Sequence, residues 1–223
     1  MIVYGSTISP FVRKVAAFAA EKGLTIEVKP SGMGRGGPEF EEASPFRKMP
    51  AFRDPGADAD ENGCRDFTIS DSTAIVTYLE AKYPDPNLIP LAPAARARAI
   101  WYEEFGDTMV MACGGKMFFN RLVAPKFLKR DGDLQLADTA ERDELPPIMD
   151  YLERVAPDAG GFLLEDRLTL ADIAVASPFA NFRYIGLDLA RWPRALAYVD
   201  AILARPSFAG VVEQDAQFIA SVG

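Results

Sequence analysis

A chain of 223 residues, 49% hydrophobic and 25% charged, is long enough to bury a large core and to divide into two parts. The absence of histidine excludes Ser-His-Asp and Cys-His catalysis and most zinc sites, so we expect no bound metal. The net charge of -8, with no stripe of basic residues to offset it, argues against a nucleic-acid partner.

The chain carries no sign of a membrane or secretory segment. No apolar run approaches the roughly 20 residues that a membrane-spanning helix needs, and residues 1–5 enter a strand pattern without a basic leader. We therefore expect a cytoplasmic protein that does not associate with membranes. Cys64 and Cys113 lie far apart and form no CxxC pair, which predicts two free thiols.

The first third of the chain alternates between strand and helix patterns. Apolar MIVYG (1–5) predicts a buried strand, residues 10–22 predict a helix that ends at Gly23, and TIEVK (25–29) predicts a second strand. This order is a β-α-β unit. The predicted elements that follow are a short helix near 38–43, a strand that opens at Pro50, a strand at DFTIS (66–70) and a helix over 72–82.

Two segments are rich in turn residues. RDPGADADENGCRD (53–66) lies between the last two strands, and its composition predicts an elongated, acidic hairpin loop over 54–66 that carries Cys64. YPDPNLIPLAP (83–93) holds four prolines, which favour an extended and exposed segment. We place the domain boundary there, with one domain over 1–83, a linker over 84–92 and a second domain over 93–223.

Almost everything after the linker has the pattern of helices. They are predicted over 93 to about 120, about 137 to 155, 170–185, 192–204 and from 207 onward. Pro125, the DGD of 131–133 and Gly160-Gly161 separate them. The predicted architecture is a mixed α/β front with an all-helical back, and such a fold by itself names no activity.

STISPFVRKV (6–15) places Ser9 directly before Pro10, which suits the first position of a helix because its missing N–H costs nothing there. Ser9 then falls on the N-cap, where its side-chain oxygen can accept from a free backbone N–H. The helix N-terminus also carries partial positive charge, and a serine hydroxyl beside it can donate to a bound anion. If that anion is a thiolate, its pKa falls. The residues leave both roles open.

SPFRKMPAF (44–52) has a proline where a strand begins, which suits a residue that cannot donate into the strand ladder. A plain strand start is one interpretation. The alternative is a cis Met49-Pro50 bond, which would leave the Met49 backbone N–H and C=O able to pair with an extended peptide.

TISDSTAIVTYLEAKY (68–83) crowds Ser70, Asp71 and Ser72 at the start of a helix, and one of them must cap it. The surplus would suit an amino-acid head group, with hydroxyl and N–H groups for its carboxylate and a carboxylate for its ammonium. Solvation at the surface is the other interpretation. In DRLTLADIAVAS (166–177), Thr169 and Asp172 predict a capping box, which we assign to folding.

The first long helix carries aromatic and sulphur side chains that could line an apolar pocket, although most are expected to belong to the core. They are Trp101, Tyr102, Phe105, Met109, Met111, Cys113, Met117 and Phe118. We expect about one in three of them to face a cleft.

Taken together, these segments resemble the cytosolic glutathione S-transferase family, in its serine-type, tau-like or related bacterial members. SPFVRKVAAFAAEKGL, SPFRKMPAF and ISDSTAIVTYL carry the resemblance, and PAARARAIWYEEFGD and LTLADIAVAS support it. The resemblance implies a thioredoxin-like N-terminal domain with a mixed four-stranded sheet, an all-α C-terminal domain, and a homodimer. It places the hairpin near the partner subunit.

The same resemblance implies roles for individual residues, with glutathione as the co-substrate. Ser9 would stabilise the thiolate, ahead of Ser6 and Thr7 as competing hydroxyls, because Pro10 and Phe11 fix its position. The implied glutathione contacts are Lys48, Met49, Pro50, Asp71 and Ser72, with Arg47 in place of the glycine often found there.

The implied reaction is attack of the glutathione thiolate on a small hydrophobic electrophile, in a pocket between the domains. Phe11, Phe105 and Met109 are the expected apolar contacts. An acidic protein must still attract an anionic tripeptide, so we expect a local positive patch from Lys48, Arg47 and Arg13. The alternatives are a glutathione-binding or scaffold protein without turnover, and a glutathione-dependent lyase, peroxidase or reductase of the same fold.

Overall fold

The computed structural model describes residues 1–32, 36–60, 63–158 and 160–222. The chain divides into two compact units, Met1–Leu88 and Ile89–Gly223. The division falls inside the segment 84–92 that the prolines mark as a linker. Each unit has its own architecture, as the sequence pattern predicts.

The first unit contains a four-stranded sheet and three helices. Its elements are β1 (Ile2–Tyr4), α1 (Pro10–Glu21), β2 (Glu27–Lys29), α2 (Gly37–Ala43), β3 (Ala51–Asp60), β4 (Gly63–Ser70) and α3 (Ser72–Lys82). The strand order is β2-β1-β3-β4, with β1 parallel to β2 and antiparallel to β3, and β3 antiparallel to β4. This mixed sheet confirms the predicted thioredoxin-like fold class.

Apolar periodicity explains why α1 and α3 form and pack together. Val12, Val15 and Phe18 recur at helical spacing on α1 and are fully buried. Ile75, Val76 and Leu79 do the same on α3, which packs against α1. The two helices therefore pack together through these apolar faces.

The hairpin between β3 and β4 is longer than predicted. The ladder runs from Ala51↔Ser70 out to Asp60↔Gly63 and so includes residues of the predicted loop 54–66, with a register shift between Asp54 and Asp58. The shift contains Pro55, which has no N–H to give the ladder, and Gly56 at a φ of 67°. A bulge thus absorbs the turn residues that suggested a loop. Glu61, Asn62 and the Cys64 side chain lie outside the described residues, so the predicted free thiol at Cys64 stays a prediction.

The proline-rich segment is not exposed throughout, contrary to the prediction. Leu88, Ile89 and Pro90 are buried. The buried ammonium of Lys22 donates to the carbonyl oxygens of Tyr83 and Pro86 at 2.6 and 2.8 Å.

A carboxylate completes this buried network. Glu80 lies 2.7 Å from the Lys22 ammonium and also accepts from the Asn87 side chain and the Leu88 N–H. The segment is therefore fastened onto the ends of α1 and α3 by a charged network that no periodicity signals.

The second unit is all helical. Its elements are α4 (Pro93–Glu104), α5 (Met111–Phe118), α6 (Leu134–Thr139), α7 (Leu145–Val155), α8 (Leu170–Tyr184), α9 (Pro193–Leu203) and α10 (Pro206–Ser221), with π-helical segments at Phe105–Val110, Phe119–Phe127 and Ala140–Glu144. The predicted break at Pro125 is wrong, because this proline lies inside the second π-helical segment. The wider hydrogen-bond spacing there tolerates a residue without an N–H.

The core of the second unit is built around α8. Every residue from Leu170 to Phe182 is buried. The predicted capping box at its start is confirmed, with the Thr169 N–H donating to Asp172 at 2.9 Å. Asp172 also accepts from the Tyr198 hydroxyl at 2.9 Å, and burial raises the pKa of the Asp172 carboxyl.

Within the described ranges, no helix taken singly is long and apolar enough to cross a membrane. The pair Pro193–Leu203 and Pro206–Ser221 satisfies that length and composition only jointly, across a bend of 96°.

Candidate functional site

Ser9 is the N-cap residue of α1, and Pro10 occupies the first turn, as predicted. The expected side-chain cap is absent, since the Ser9 hydroxyl makes no capping hydrogen bond. The backbone of Ser9 is fixed on both sides, because its N–H donates to Ser6 O at 2.9 Å and its C=O accepts from Arg13 N at 3.0 Å. The residue is half-buried. A fixed serine thus presents an uncommitted hydroxyl at the positive end of a helix.

The neighbouring hydroxyl of Ser6 is engaged, and Arg13 is not where we expected it. The Ser6 Oγ accepts from the Ile8 N–H at 3.4 Å. Arg13 is fully buried and donates through Nη1 to Thr7 O at 2.8 Å. Arg13 therefore braces the loop that leads into α1, and the prediction that it contributes to a surface patch is wrong.

The turn at Met49 has the geometry of the second alternative, because the Met49-Pro50 peptide bond is cis. Neither the backbone N–H nor the C=O of Met49 forms a hydrogen bond within the part of the chain that the structure describes. Its side chain packs against the backbone of Gly5. The position that a Cβ atom would take on Gly5 is only 3.5 Å from the Met49 Cβ. One residue thus combines an anchored side chain with an unpaired backbone edge.

Asp71 is the cap among the three candidates at the start of α3. Its Oδ1 accepts from Thr73 N at 2.9 Å and Ala74 N at 3.1 Å. Its φ of 88° lies in the left-handed region, which is strained for a residue with a side chain. Ser72 is buried, and its hydroxyl bonds to no other described residue. The cap uses one carboxylate oxygen and leaves the other oxygen of Asp71 and the Ser72 hydroxyl available.

Three segments that are remote in sequence meet at one edge of the first unit. The Asp71 N–H donates to Pro50 O at 3.2 Å, which joins the start of α3 to the Met49 turn. Met49 in turn lies against Gly5, at the end of β1. The loop from Gly5 continues to Ser9. The structure therefore joins the free peptide edge to the α3 cap and to the end of β1, from which the loop to Ser9 departs.

Lys48 and Arg47 supply positive charge beside this edge. Both are exposed, and Arg47 pairs with Glu41 at 3.0 Å. The φ of 54° at Arg47 is typical of glycine. Among the described residues, Lys48 has no acidic partner. Lys48 is thus the better candidate for a ligand carboxylate.

The proposed pocket residues are placed as follows. Phe11 is half-buried on α1. Phe105 is buried in the helical unit, stacked on Trp101 with ring centroids 5.8 Å apart. Met109 is 49% exposed. Their role as electrophile contacts stays a prediction.

A separate cleft of about 910 Å³ lies in the helical unit and contains none of the predicted site residues. It is lined by α8, α9, α10 and the π-helical segment Phe119–Phe127. Among the residues described, no three His, Cys, Asp or Glu side chains are grouped as ligands for a metal ion.

Two profiles of one family match most of the chain. Residues 3–87 match the glutathione S-transferase N-terminal domain, and residues 93–201 match the glutathione S-transferase C-terminal domain. The chain belongs to the glutathione S-transferase family. The prediction of a transferase that uses glutathione as co-substrate is thereby confirmed.

The individual relatives include both transferases and an isomerase. Glutathione S-transferase 3 of Zea mays is 29% identical over 217 residues, covering 92% of this chain and 90% of that protein. Probable maleylacetoacetate isomerase 1 of Drosophila melanogaster is 28% identical over 156 residues, covering 70% of this chain and about half (55%) of that protein. A solved glutathione S-transferase of Methylobacterium radiotolerans, in complex with glutathione sulfonate, is 28% identical with a TM-score of 0.72, covering 95% and 93% of the two chains.

Cys113 is not a reactive thiol in this transferase. Its side chain is buried, its Sγ donates to Ala140 O at 3.4 Å, and burial raises the pKa of the thiol to about 11. In a Cys64→Ser background we expect iodoacetamide to alkylate native Cys113 about 100-fold more slowly at pH 7 than the urea-unfolded chain. Equal rates in the two states would contradict this.

The same shift has a consequence for stability. Because the unfolded thiol ionises near pH 9 while the native thiol stays protonated, Cys113 should make the free energy of unfolding fall as pH rises from about 9 to about 11. Comparing urea midpoints of the protein and its Cys113→Ala variant across this range isolates the contribution.

Proposed function

We propose that this transferase conjugates the glutathione thiolate to a hydrophobic electrophile and that the Ser9 hydroxyl stabilises the thiolate. The observation that carries the proposal is the uncommitted hydroxyl at the N-cap of α1, at the end of a loop that leaves Gly5, against which Met49 with its free backbone edge packs. The two features together suit a thiol-containing peptide, whose backbone would pair with Met49 and whose sulphur would accept a hydrogen bond from Ser9.

The tripeptide has complementary groups for this edge. The Met49 N–H and C=O would pair with the backbone of the cysteinyl unit, as in the addition of a short strand. Lys48 would attract the glycyl carboxylate. The free oxygen of Asp71 would accept from the γ-glutamyl ammonium, while the Ser72 hydroxyl at the N-terminus of α3 would donate to the γ-glutamyl carboxylate.

The energetics of thiol activation are within reach of one hydroxyl and one helix end. A free thiol titrates near pH 8.5, so that at pH 7 only a few per cent is thiolate. Lowering the pKa of the bound thiol by about two units requires about 2.7 kcal/mol. A hydrogen bond to a charged group contributes about 1.5 to 3 kcal/mol and a helix terminus about 0.3 to 1 kcal/mol.

The proposed chemistry then needs no general base from the protein. The thiol proton leaves to solvent, and the sulphur electron pair forms a C–S bond while the leaving group departs with its own pair. Phe11, Phe105 and Met109 stay the proposed apolar contacts of the electrophile. A homodimer and a cytoplasmic location also stay proposals.

Retention on immobilised glutathione, followed by an electrophile panel that includes chlorodinitrobenzene, tests the proposal. We expect retention and turnover. Retention without turnover on any electrophile would favour a non-catalytic binding protein. A protein that neither binds nor turns over would contradict the proposal.

Lys48 provides a second test of the glutathione site. We expect Lys48→Glu to weaken glutathione binding about tenfold at low ionic strength and about twofold at high salt, because salt screens the charge of an exposed side chain. Lys129→Glu, in the helical unit, makes the same change in net charge and should leave the affinity unaltered. If Lys48→Glu weakens glutathione binding by the same factor at both salt concentrations, the result would count against a contact between charges at Lys48.

A second candidate is isomerisation of maleylacetoacetate, favoured by the similarity to the Drosophila melanogaster isomerase. It would use the same glutathione site. Turnover of maleylacetoacetate well above that of chlorodinitrobenzene would favour the isomerase, and the reverse would favour conjugation.

A further inference from the structure

Ser44, the first residue of SPFRKMPAF (44–52) and one to which the sequence assigns no role, holds the turn before Met49. It follows α2 and is fully buried. Its Oγ donates to Lys48 O at 2.8 Å and accepts from Lys48 N at 2.9 Å. One hydroxyl therefore clasps both backbone groups of a single residue four positions later.

The backbone of Ser44 completes this clasp. Its N–H donates to Phe40 O at 2.8 Å, which ties it to the last turn of α2, and its C=O accepts from Arg47 N at 2.8 Å. All of the polar groups of Ser44 are thus used to hold the turn on the end of a helix. A hydroxyl suits this position because it donates and accepts through one atom.

The clasp has a directional consequence for Met49. The C=O of Lys48 and the N–H of Met49 belong to the same peptide unit, which is trans. In a planar trans peptide these two bonds point in opposite directions. Because the Ser44 hydroxyl holds the Lys48 C=O on the protein side, the Met49 N–H is directed away from it, toward the free edge. That N–H bonds to no other described residue.

From this geometry we infer that Ser44 is a positioning residue for glutathione, acting through the Lys48-Met49 peptide plane. The inference rests on the proposed function, in which the Met49 backbone pairs with the cysteinyl unit. Ser44 touches neither the sulphur nor the electrophile in this scheme. Its loss should therefore weaken glutathione binding and leave the thiol chemistry intact.

The test compares Ser44→Ala with the unaltered protein by calorimetric titration with glutathione. Without the clasp the turn samples other orientations, and the apparent Kd rises by the inverse of the competent fraction. We expect a Kd about tenfold higher, with kcat at saturating glutathione and the pKa of the bound thiol unchanged. Ser177→Ala, which removes a buried hydroxyl from α8, serves as the matched control and should keep the Kd.

A near-isosteric pair covers the case in which Ser44→Ala does not fold. Ser44→Thr keeps the hydroxyl and Ser44→Val replaces it with a methyl group, so any steric cost is shared. Tighter glutathione binding by Ser44→Thr than by Ser44→Val supports the inference. Equal binding by both variants, or wild-type binding by Ser44→Ala, overturns it. If the unaltered protein does not bind glutathione, the proposed function itself fails and the inference falls with it.

Discussion

Replacing Ser9 with alanine is expected to lower conjugation of chlorodinitrobenzene about 25-fold at pH 7. If the bound thiol returns from a pKa near 6.5 to one near 8.5, its thiolate fraction falls from about three-quarters to about 3%. Glutathione binding at pH 7 should weaken only about fourfold, because Ser9 acts on the thiolate and contributes none of the proposed peptide contacts. The loss should therefore appear in kcat.

The pH profile separates this explanation from a general structural defect. Since a weaker acid ionises at higher pH, the activity of Ser9→Ala should be half-maximal near pH 8.5 and keep rising to about pH 9.5, whereas that of the unaltered enzyme should level off near pH 7.5. Ser6→Ala is the control, because the Ser6 hydroxyl is turned to the Ile8 N–H. A large loss of activity in Ser6→Ala with none in Ser9→Ala would show that the hydroxyl of Ser6, and not that of Ser9, stabilises the thiolate.

Replacing Lys22 with methionine is expected to produce the largest loss of stability, about 3 to 5 kcal/mol. The ammonium has no solvent exposure and is the cationic partner of Glu80, which is itself buried. Its removal leaves a buried carboxylate uncompensated and the Tyr83 and Pro86 carbonyls without their donor. Urea unfolding of the two proteins measures the difference.

The matched control is Lys29→Met, the same substitution at an exposed pair. Lys29 lies 3.4 Å from Glu39, and both side chains are substantially exposed. The expected cost there is at most about 1 kcal/mol. Similar losses in the two variants would show that burial of the Lys22 network does not determine its contribution. In the double variant Lys22→Met, Glu80→Leu, we expect part of the stability to return, because no charge is left buried.

Local signals were sufficient for most of the first unit. Pro10 and Gly23 bracket α1, and the apolar spacing of Ile75, Val76 and Leu79 identifies α3. These elements were predictable because their caps and periodicity lie within a few residues of one another. The hairpin was misjudged because its ladder depends on pairing across strands, which a run of aspartates and glycines conceals.

Burial of charge was not predictable from the sequence. Arg13 was expected at the surface, where long charged side chains mostly lie, and no sequence pattern indicates that Lys22 is buried. The structure buries both against backbone carbonyls, at Thr7 for one and at Tyr83 and Pro86 for the other. Such partners lie in loops whose course no sequence pattern fixes.

For the candidate site, the sequence proposes a set of residues but does not give their geometry. The sequence left three possible caps for α3, and the structure assigns the role to Asp71. The role proposed for Ser44 was not predictable, because it depends on a hydrogen bond to a residue four positions away in a non-helical turn. The one available signal was a small hydroxyl residue directly before a proline, at the end of a short helix.

The most direct test of the account is titration of glutathione bound to the enzyme, followed by the ultraviolet absorbance of its thiolate. The account predicts an apparent pKa of about 6.5 for the bound thiol, and a value near 8.5 in Ser9→Ala. A thiol that titrates near 8.5 in the unaltered enzyme, as it does in water, would contradict the proposed role of Ser9.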